Sequence, residues 1–395
     1  MDMGANSFAI LVSFVLGVAC AKAAPAIPFE LCDNMVLVPV RVNGSGPHSF
    51  LLDTGASASF LNQTLADTLG VQTRGQHDAK VGAGESSTKL GFAKGVALSL
   101  PGVELPAQTV AVIPLAGIES AIGHKVAGIV GADLFKRYVV TIDYGARVVT
   151  LDDPKTFAYR GTSEAIAIRL SGSRPFFKAT VTPAGGAPIA AEFIIDSGDD
   201  STLTFHTPFV ETHNLRGAGQ KLVAHVSTGL SGESRNWRGR IGSFEVGRFV
   251  IDRPVATFSE ARKGSEADGS YDGVLGGEIL RRFRVTVDYS RHQMILEPNS
   301  AFADPYDFDM SGAVLAAGGP EFKTIAVESV SGGSAAAEAG LMPGDTIEGV
   351  DASRAETLGL DGIRQMFRQD GSRHSLAVRR GTQLVDLTLT IHRLT

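Results

Sequence analysis

The sequence predicts a mainly β fold with two pseudo-symmetric lobes and a separate C-terminal domain, and three observations support this prediction. A short apolar run ends in Asp-Thr-Gly at 53–55, and a similar run ends in Asp-Ser-Gly 143 positions downstream, at 196–198. An apolar motif with two glycines occurs at 128–131 and again 145 positions later, at 273–276. A repeat with a nearly constant offset indicates two copies of one structural unit. From about residue 305 the chain has the pattern of a different domain.

The composition is that of a globular protein. Of the 395 residues, 44% are hydrophobic and 20% are charged, and this length allows two to four domains. The net charge of −6 is mild, and the chain has no long basic run. We therefore do not expect nucleic acid as a partner.

The N-terminus predicts export. Residues 8–19 form an apolar core that is too short to span a bilayer comfortably, and Ala21-Lys22-Ala23 offers a small-x-small cleavage site. No Lys or Arg precedes this core, so an uncleaved anchor and lipidation at Cys20 stay open as alternatives. Loss of the signal would leave Cys32 as the only cysteine. We expect a periplasmic or secreted protein, with anchoring to the envelope left open.

Each Asp-x-Gly motif follows a run that predicts a strand buried on both faces. The runs are wholly apolar, Phe50-Leu51-Leu52 in the first copy and Phe193-Ile194-Ile195 in the second. A carboxylate at the end of such a strand loses hydration, so it must be hydrogen-bonded or take part in chemistry. One Asp-Thr-Gly can be an ordinary turn at a strand end, whereas two copies in matching contexts favour a functional pair, Asp53 and Asp196.

The residues around the motifs repeat as well, and they define the order of elements in each lobe. A strand, a turn rich in Gly and Pro, and a second strand precede each Asp motif, with the turns at 43–47 and 183–188. Each glycine motif leads to a strand that ends in Asp-Tyr, at 143–144 and 288–289, before a polar turn. We interpret these two Asp residues as turn residues. The predicted units are a signal peptide at 1–24, lobes at 30–155 and 156–300, and a C-terminal domain at 305–395.

The doubled pattern resembles the aspartic proteases of the retropepsin and pepsin type, in a bacterial form, over roughly residues 30–300. In that family each lobe provides one Asp from a D-[ST]-G turn and an apolar-apolar-Gly strand that crosses behind it. Ile129-Val130-Gly131 and Val274-Leu275-Gly276 match this strand. The resemblance implies that Asp53 and Asp196 form a catalytic dyad, which hydrolyses peptide bonds of protein or peptide substrates with an activated water. It also implies that no metal or organic cofactor takes part.

The resemblance assigns roles to the residues that follow each Asp. The hydroxyls of Thr54 and Ser197 would reach across to the backbone of the opposite lobe, and Gly55 and Gly198 would hold their own Asp through backbone N–H groups. Asp199 departs from the family pattern, which has a small residue there. A third carboxylate beside the dyad would favour protonated carboxyls, whereas a side chain that points to solvent would have little effect. Because of Asp199, a protease fold that grips peptides without cleaving them stays open as an alternative.

A hairpin is predicted at 80–93, with Gly82-Ala83-Gly84 at its tip. In the protease family a glycine-tipped flap follows the first Asp and closes over the substrate, and Gly82 and Gly84 are the candidates for its tip. An ordinary glycine hairpin is the alternative. A Gly-Leu-Ser-Gly-Glu run within 227–233 is the similar segment of the second lobe.

Other chemistries find little support in the sequence. The chain has no His-Glu-x-x-His run, and its nine histidines lack the spacing of metal ligands, so we expect no metal site. The serine at 231 lacks the second glycine of Gly-x-Ser-x-Gly. The glycines at 82–84 lack the third glycine of a dinucleotide-binding loop.

The segment at 305–395 resembles a PDZ domain of the bacterial type. The match is carried by Ser334–Leu341, by Pro343–Ile347, and by the order of predicted elements after them. In that family a loop before the second strand binds a peptide C-terminus through backbone N–H groups, and the peptide extends the sheet edge. The loop candidates are Gly312, Ala313 and Val314. Protein C-termini are thus the implied partners for substrate selection or regulation, and a purely intramolecular brace is the alternative.

Overall fold

The structure is a computed structural model that describes residues 25–217 and 220–393. The predicted signal peptide at 1–24 lies outside these residues. The first lobe comprises residues 26–152. Its strands are β1 (Ala26–Pro28), β2 (Glu30–Cys32), β3 (Met35–Val42), β4 (Ser45–Leu52), β5 (Phe60–Asn62), β6 (Arg74–Ala79), β7 (Thr88–Leu100), β8 (Val103–Ile113), β9 (Gly128–Val130), β10 (Val139–Asp143) and β11 (Val148–Asp152). Its helices are α1 (Gln63–Thr68), α2 (Ala116–Ile122) and α3 (Ala132–Phe135).

The second lobe, residues 165–298, repeats this order, and the C-terminal domain, residues 308–393, does not. The strands of the second lobe are β12 (Ala165–Ala167), β13 (Arg169–Ser171), β14 (Arg174–Thr182), β15 (Ile189–Ile195), β16 (Leu203–Phe205), β17 (Leu222–Gly229), β18 (Gly232–Arg240), β19 (Ser243–Val246), β20 (Phe249–Asp252), β21 (Val255–Ser259), β22 (Gly273–Leu275), β23 (Phe283–Asp288) and β24 (Gln293–Pro298). Its helices are α4 (Thr207–Thr212), a 3-10 turn (Ser265–Ala267) and α5 (Gly277–Leu280).

The strand before each Asp motif lies inside the sheet of its lobe. The first lobe has the strand order β2-β3-β4-β9-β5-β8-β7-β6, and the second has the corresponding order β14-β15-β22-β16-β21-β18-β17. β4 pairs in parallel with β9, so that Leu52 lies opposite Val130, and β15 pairs in parallel with β22, so that Ile195 lies opposite Leu275. A strand flanked on both sides and covered on both faces has no polar side, which explains the wholly apolar runs.

A third sheet joins the two lobes across their pseudo-twofold axis. Its order is β1-β11-β10-β23-β24-β12, and the antiparallel pair β10 and β23 comes from different lobes. Thr141 lies opposite Thr286 in this pair, and their hydroxyl oxygens are 2.9 Å apart. The 145-position offset of the sequence repeat therefore corresponds to the symmetry of this sheet.

Asp143 and Asp288 end the two central strands of this joining sheet as turn residues. Asp143 Oδ1 accepts a hydrogen bond from the backbone of Ala146, and the carboxylate of Asp288 accepts from Ser290 and Arg291. Both carboxylates therefore close the hairpin turns that follow them, as expected from the polar sequence there.

The C-terminal domain has its own sheet and its own hydrophobic core. The sheet order is β25-β26-β27-β29-β30, with β28 beside β27, so that β25 is an edge strand. Two helices pack on this sheet, and the core residues run from Met310 to Ile391. The elements are β25 (Ala313–Gly318), a 3-10 turn (Pro320–Phe322), β26 (Thr324–Val330), α6 (Ala335–Glu338), β27 (Thr346–Val350), β28 (Ser353–Arg354), α7 (Ala355–Met366), β29 (Arg373–Arg380) and β30 (Gln383–Thr390).

Two predicted segments differ from the structure. Of the three loop candidates in the C-terminal domain, only Gly312 lies in a loop, because Ala313 and Val314 already belong to the first strand, β25. The hairpin predicted at 80–93 has arms that start at Arg74 and continue to Leu100, with the turn between Ala79 and Thr88. Among the helices within 25–217 and 220–393, none is long and apolar enough to cross a membrane.

Candidate active site

Asp53 and Asp196 meet where the two lobes face each other. Each carboxyl lies against the glycine of the other motif: a Cβ atom on Gly198 would be 2.6 Å from Cγ of Asp53, and one on Gly55 would overlap the carboxylate of Asp196. Any side chain at these two positions would therefore displace a carboxyl group. Each Asp also accepts a hydrogen bond from the backbone that follows it. Gly198 N–H donates to Asp196 Oδ1 at 2.9 Å, whereas Asp53 Oδ1 accepts at 2.9 Å from the N–H of Ala56, one residue beyond Gly55.

The hydroxyls of Thr54 and Ser197 tie the two motifs together. Thr54 Oγ1 donates to the carbonyl oxygen of Ile195 at 2.7 Å and accepts from the Ser197 N–H at 3.0 Å. Ser197 Oγ donates to the carbonyl oxygen of Leu52 at 2.6 Å and accepts from the Thr54 N–H at 3.1 Å. Both side chains are buried. These four bonds bind the strand ends of one lobe to those of the other, which fixes the relative position of the two carboxyls.

The two carboxyls form an electrostatically coupled pair. Burial raises the pKa of both Asp53 and Asp196, because water no longer solvates the charged forms. The negative charge of Asp53 and a hydrogen bond between the two side chains raise the pKa of Asp196 further. The pair therefore keeps one proton at a pH where two isolated carboxyls would both be ionised.

Asp199 lies in the wall of the cleft beside this pair. Its Oδ1 accepts a hydrogen bond from the Ser201 N–H at 2.7 Å, and a Cβ atom on Gly276 would be 2.7 Å from this oxygen. Burial and the charge of Asp196 raise the pKa of Asp199 to about 6. The next residue, Asp200, also lines the cleft, and burial together with the charges of Asp33 and Asp199 raises its pKa to about 7. The structure thus places Asp199 among the cleft carboxyls.

Two hairpins meet above the dyad and form the roof of the cleft. The turn between β6 and β7 contains Gly82 and Gly84, and it contacts the turn between β17 and β18 around Ser231. Ser231 Oγ donates to the carbonyl oxygen of Val81 at 2.9 Å and accepts from its N–H at 2.7 Å. Gly84 has a φ of +108°, and a side chain there would overlap the backbone of Ser231. The structure therefore places both flap candidates at a junction between the lobes.

The space under this roof continues to the C-terminal domain. A cavity of about 1110 Å³ is lined by both dyad residues, by the two hairpin tips and by the second-lobe residues His225, Trp237 and Arg238. The C-terminal domain adds the segment 312–316 and two arginines, Arg364 and Arg368. Sequence reasoning did not identify these contributions, because they depend on how separate domains pack. Gly312, Ala313 and Val314 thus lie at one end of the cavity that holds the dyad.

The family of the chain follows from a comparison with known proteins. Residues 38–134 and 178–279, together about half of the chain, match the family model described as aspartyl protease. This chain belongs to the aspartyl protease family. The two matched segments contain the two Asp motifs and the two glycine strands, which agrees with the repeat found in the sequence. Membership supports peptidase activity for this aspartyl protease.

Two individual proteins are also similar to this aspartyl protease. The carboxyl-terminal-processing peptidase 2, chloroplastic, of Arabidopsis thaliana is 37% identical over 83 residues, which are 21% of this chain and 16% of that protein. The match thus spans about a sixth of the relative's length. The crystal structure of aspartic proteinase from Irpex lacteus covers 72% of this chain and 100% of its own, with a TM-score of 0.45 and 14% sequence identity.

A metal site would need several His, Cys, Asp or Glu side chains arranged around one point. Within 25–217 and 220–393, no group of three or more His, Cys, Asp or Glu side chains has such an arrangement.

Proposed function

We propose that this chain is an exported aspartic endopeptidase in which Asp53 and Asp196 activate a water molecule for peptide-bond hydrolysis. The observation that carries the proposal is the pairing of these two carboxyls, each of which lies against the glycine of the other motif below a roof of two hairpins. The substrate would be an extended polypeptide, because the cleft runs between the hairpin tips and the dyad. Residues 1–24 would direct the chain out of the cytoplasm.

The mechanism follows from a dyad that holds one proton. The ionised carboxyl takes a proton from water as the water oxygen attacks the scissile carbonyl carbon, and the protonated carboxyl gives its proton to the carbonyl oxygen. The resulting gem-diol collapses when its C–N bond breaks, the leaving nitrogen takes a proton from one carboxyl, and a diol hydroxyl returns a proton to the other. The two apparent pKa values belong to the pair, so neither Asp has a fixed role.

Replacement of either dyad residue tests this proposal. Asp53→Asn and Asp196→Asn should each lower kcat for a peptide or a denatured protein at least about 100-fold, because general acid–base catalysis contributes roughly that much. Activity should be measured between about pH 3 and pH 8, the range over which such dyads work. Asp143→Asn is the matched control, because Asp143 closes a turn away from the cleft and Asn keeps the accepting oxygen. Full activity in either dyad variant would refute the dyad.

We propose that the C-terminal domain is a PDZ-type domain that binds protein C-termini and thereby selects or regulates substrates. Its edge strand β25 supports this proposal, because one side of the strand has no neighbouring strand. An extended peptide can add there if it displaces the side chains of Arg364 and Ser120, which donate to the carbonyl oxygens of Leu315 and Ala317. Gly312, with a φ of +75°, precedes this strand. Binding of short peptides with free and with amidated C-termini would test the proposal, and equal affinity for the two would contradict C-terminal recognition.

A second candidate function is peptide binding without cleavage, and Asp199 is the observation that favours it. Its carboxyl lies beside the dyad and is electrostatically coupled to Asp196. If the wild-type protein binds a statine-type transition-state analogue but releases no fragments from denatured proteins over the whole pH range, the binding function is supported. Fragments that disappear with the analogue would support the peptidase.

A further inference from the structure

The turn between β2 and β3, formed by Asp33 and Asn34, links the C-terminal domain to the catalytic loop of the second lobe. We infer that Arg364 of the C-terminal domain is a positioning residue for the dyad, because it holds this turn against the loop that contains Asp196. The inference rests on the proposed peptidase function and names a group that acts on catalysis from outside both protease lobes.

The contact between the turn and the catalytic loop is direct. Asn34 Nδ2 donates to the carbonyl oxygen of Asp200 at 2.9 Å, four residues after the candidate catalytic Asp196. The carbonyl oxygen of Asn34 packs against Gly277, where a Cβ atom would overlap it. The Gly277 N–H in turn donates to the carbonyl oxygen of Asp199 at 2.6 Å. The turn therefore contacts the catalytic loop both directly and through the strand-to-helix junction behind it.

The pseudo-symmetry shows that this contact is specific to one lobe. In the first lobe the counterpart of Gly277 is Ala132, whose N–H donates to the carbonyl oxygen of Ala56 at 3.0 Å. Ala132 carries the Cβ atom that has no room at Gly277. The glycine at 277, directly after the second-lobe motif, is thus explained by the docked turn, and only the loop with Asp196 has this support.

The buried charge of this turn, rather than its backbone, needs an external partner. Asp33 and Asn34 form a two-residue hairpin turn with φ values of 45° and 66°, a left-handed conformation that Asp and Asn adopt more readily than other non-glycine residues. Both residues are buried. A buried carboxylate in such a turn requires a counter-charge, and without one it would repel the nearby carboxyls of Asp200 and Asp361.

Arg364 supplies this counter-charge from helix α7. Its Nη1 donates to Asp33 Oδ2 at 2.5 Å, and its Nη2 donates to the carbonyl oxygen of Leu315 in β25 at 3.0 Å. One guanidinium group is therefore fixed by the strand of its own domain and binds the turn of the first lobe. The C-terminal domain therefore contacts the catalytic loop through Asp33 and Asn34, so that the placement of the domain affects the placement of the loop.

The test compares Arg364→Met with the matched control Arg379→Met. Arg379 lies in the same domain and pairs with Glu348 at 2.7 Å, but both side chains are exposed. Active sites are counted by titration with a statine-type inhibitor, and binding is followed by the fluorescence of Trp237, the single tryptophan, which lines the cleft. We expect Arg364→Met to lower kcat per titrated site roughly tenfold, since small displacements of catalytic groups have effects of this size.

Two further variants separate positioning from folding. Arg364→Lys keeps a charge for Asp33 and should recover most of kcat. Asn34→Gly suits the left-handed backbone but removes the amide that binds Asp200, so it should lower kcat although the ion pair with Arg364 remains. A merely stabilising ion pair would lower the number of titrated sites and leave kcat per site unchanged.

The outcomes distinguish this inference from the proposed function. The inference would be overturned if kcat per site stayed within twofold of wild type in both Arg364→Met and Asn34→Gly. It would also be overturned if Arg379→Met lost as much kcat per site as Arg364→Met. If the wild-type protein binds the inhibitor but releases no products, the peptidase proposal fails. In that case the inference is tested by the affinity for the inhibitor. It requires that Arg364→Met bind the inhibitor more weakly than wild type and that Arg379→Met bind it as tightly as wild type.

Discussion

At the scale of single residues, the two hydroxyls at the lobe junction have the most clearly defined role. Thr54 and Ser197 each accept one N–H and donate to one carbonyl of the other lobe, and both are buried. No water can replace these bonds without a change in the packing. Loss of these hydrogen bonds would leave buried polar groups unsatisfied, which lowers the free energy of unfolding.

We predict that Thr54→Ala destabilises the protein. The variant leaves the Ser197 N–H and the Ile195 carbonyl group without the Thr54 hydroxyl, and each unsatisfied buried group costs about 1–3 kcal/mol. Chemical denaturation should show a lower free energy of unfolding. Thr54→Ser is the control, because it keeps the hydroxyl. Equal stability of the Ala and Ser variants would contradict this role.

We predict that Asp199→Asn changes the pH dependence of kcat/KM on its alkaline side. Asp199 has a pKa of about 6, so it is ionised above that pH, and its charge raises the pKa of Asp53. Without this charge the dyad loses its catalytic proton more easily, and the alkaline limb should move to lower pH. The acid limb should stay in place, because Asp199 is neutral there. Asp143→Asn should not move either limb.

At the scale of elements, the cleft is closed by two hairpins rather than one. The hairpin of β6 and β7 and the hairpin of β17 and β18 contact each other at their turns. Ser231 forms hydrogen bonds to Val81 through its side chain and to Ala83 and Ser86 through its backbone. These bonds therefore hold the two turns together across the junction between the lobes.

We predict that Ser231→Ala loosens the roof without unfolding the lobes. The variant removes both side-chain hydrogen bonds to Val81 and keeps the backbone bonds to Ala83 and Ser86. Amide hydrogen exchange should become faster, roughly fivefold for a loss of about 1 kcal/mol, in the turn between Ala79 and Thr88. Exchange in the sheet that joins the lobes should not change. Unchanged exchange in the turn would show that the serine does not hold the roof.

At the scale of the whole molecule, one buried arginine joins the second lobe to the linker before the C-terminal domain. Arg282 is fully buried, and its guanidinium donates to the carbonyl oxygens of Ala301, Asp304 and Pro305. It also pairs with Glu278 at 2.8 Å. The linker is therefore held as part of the protease body, and the C-terminal domain starts from a fixed point.

We predict that Arg282→Met lowers the free energy of unfolding by about 3–5 kcal/mol, the usual effect of breaking a buried charge pair. The three linker carbonyls lose their donor, so limited proteolysis should also cut the linker faster. Arg284→Met is the control, because this half-exposed side chain has only ion pairs of 3.6 to 3.8 Å, and such pairs contribute at most about 1 kcal/mol. A loss of stability no larger than that of the control would contradict the role of Arg282.

The elements that were predicted from the sequence are those that a short stretch of consecutive residues specifies by its own pattern. The doubled motif predicted two lobes, and the structure has the corresponding strand order in both. The hairpin at Gly82 and Gly84 and the similar segment at 227–233 were predicted, but their contact was not, because contact between two turns leaves no periodic pattern. Ala313 and Val314 were placed in a loop, since a short strand beside a glycine has little signal of its own.

The sequence alone determined the two Asp motifs, the wholly apolar strands before them and the repeat of 143 to 145 positions, because these depend on residue type and order. Only the tertiary structure showed that each glycine faces the carboxyl of the other lobe, that Asp199 lies in the cleft wall, and that Arg364 reaches Asp33. These are contacts between residues far apart in the chain. Their formation depends on how whole lobes and domains pack, which no local pattern of residues records.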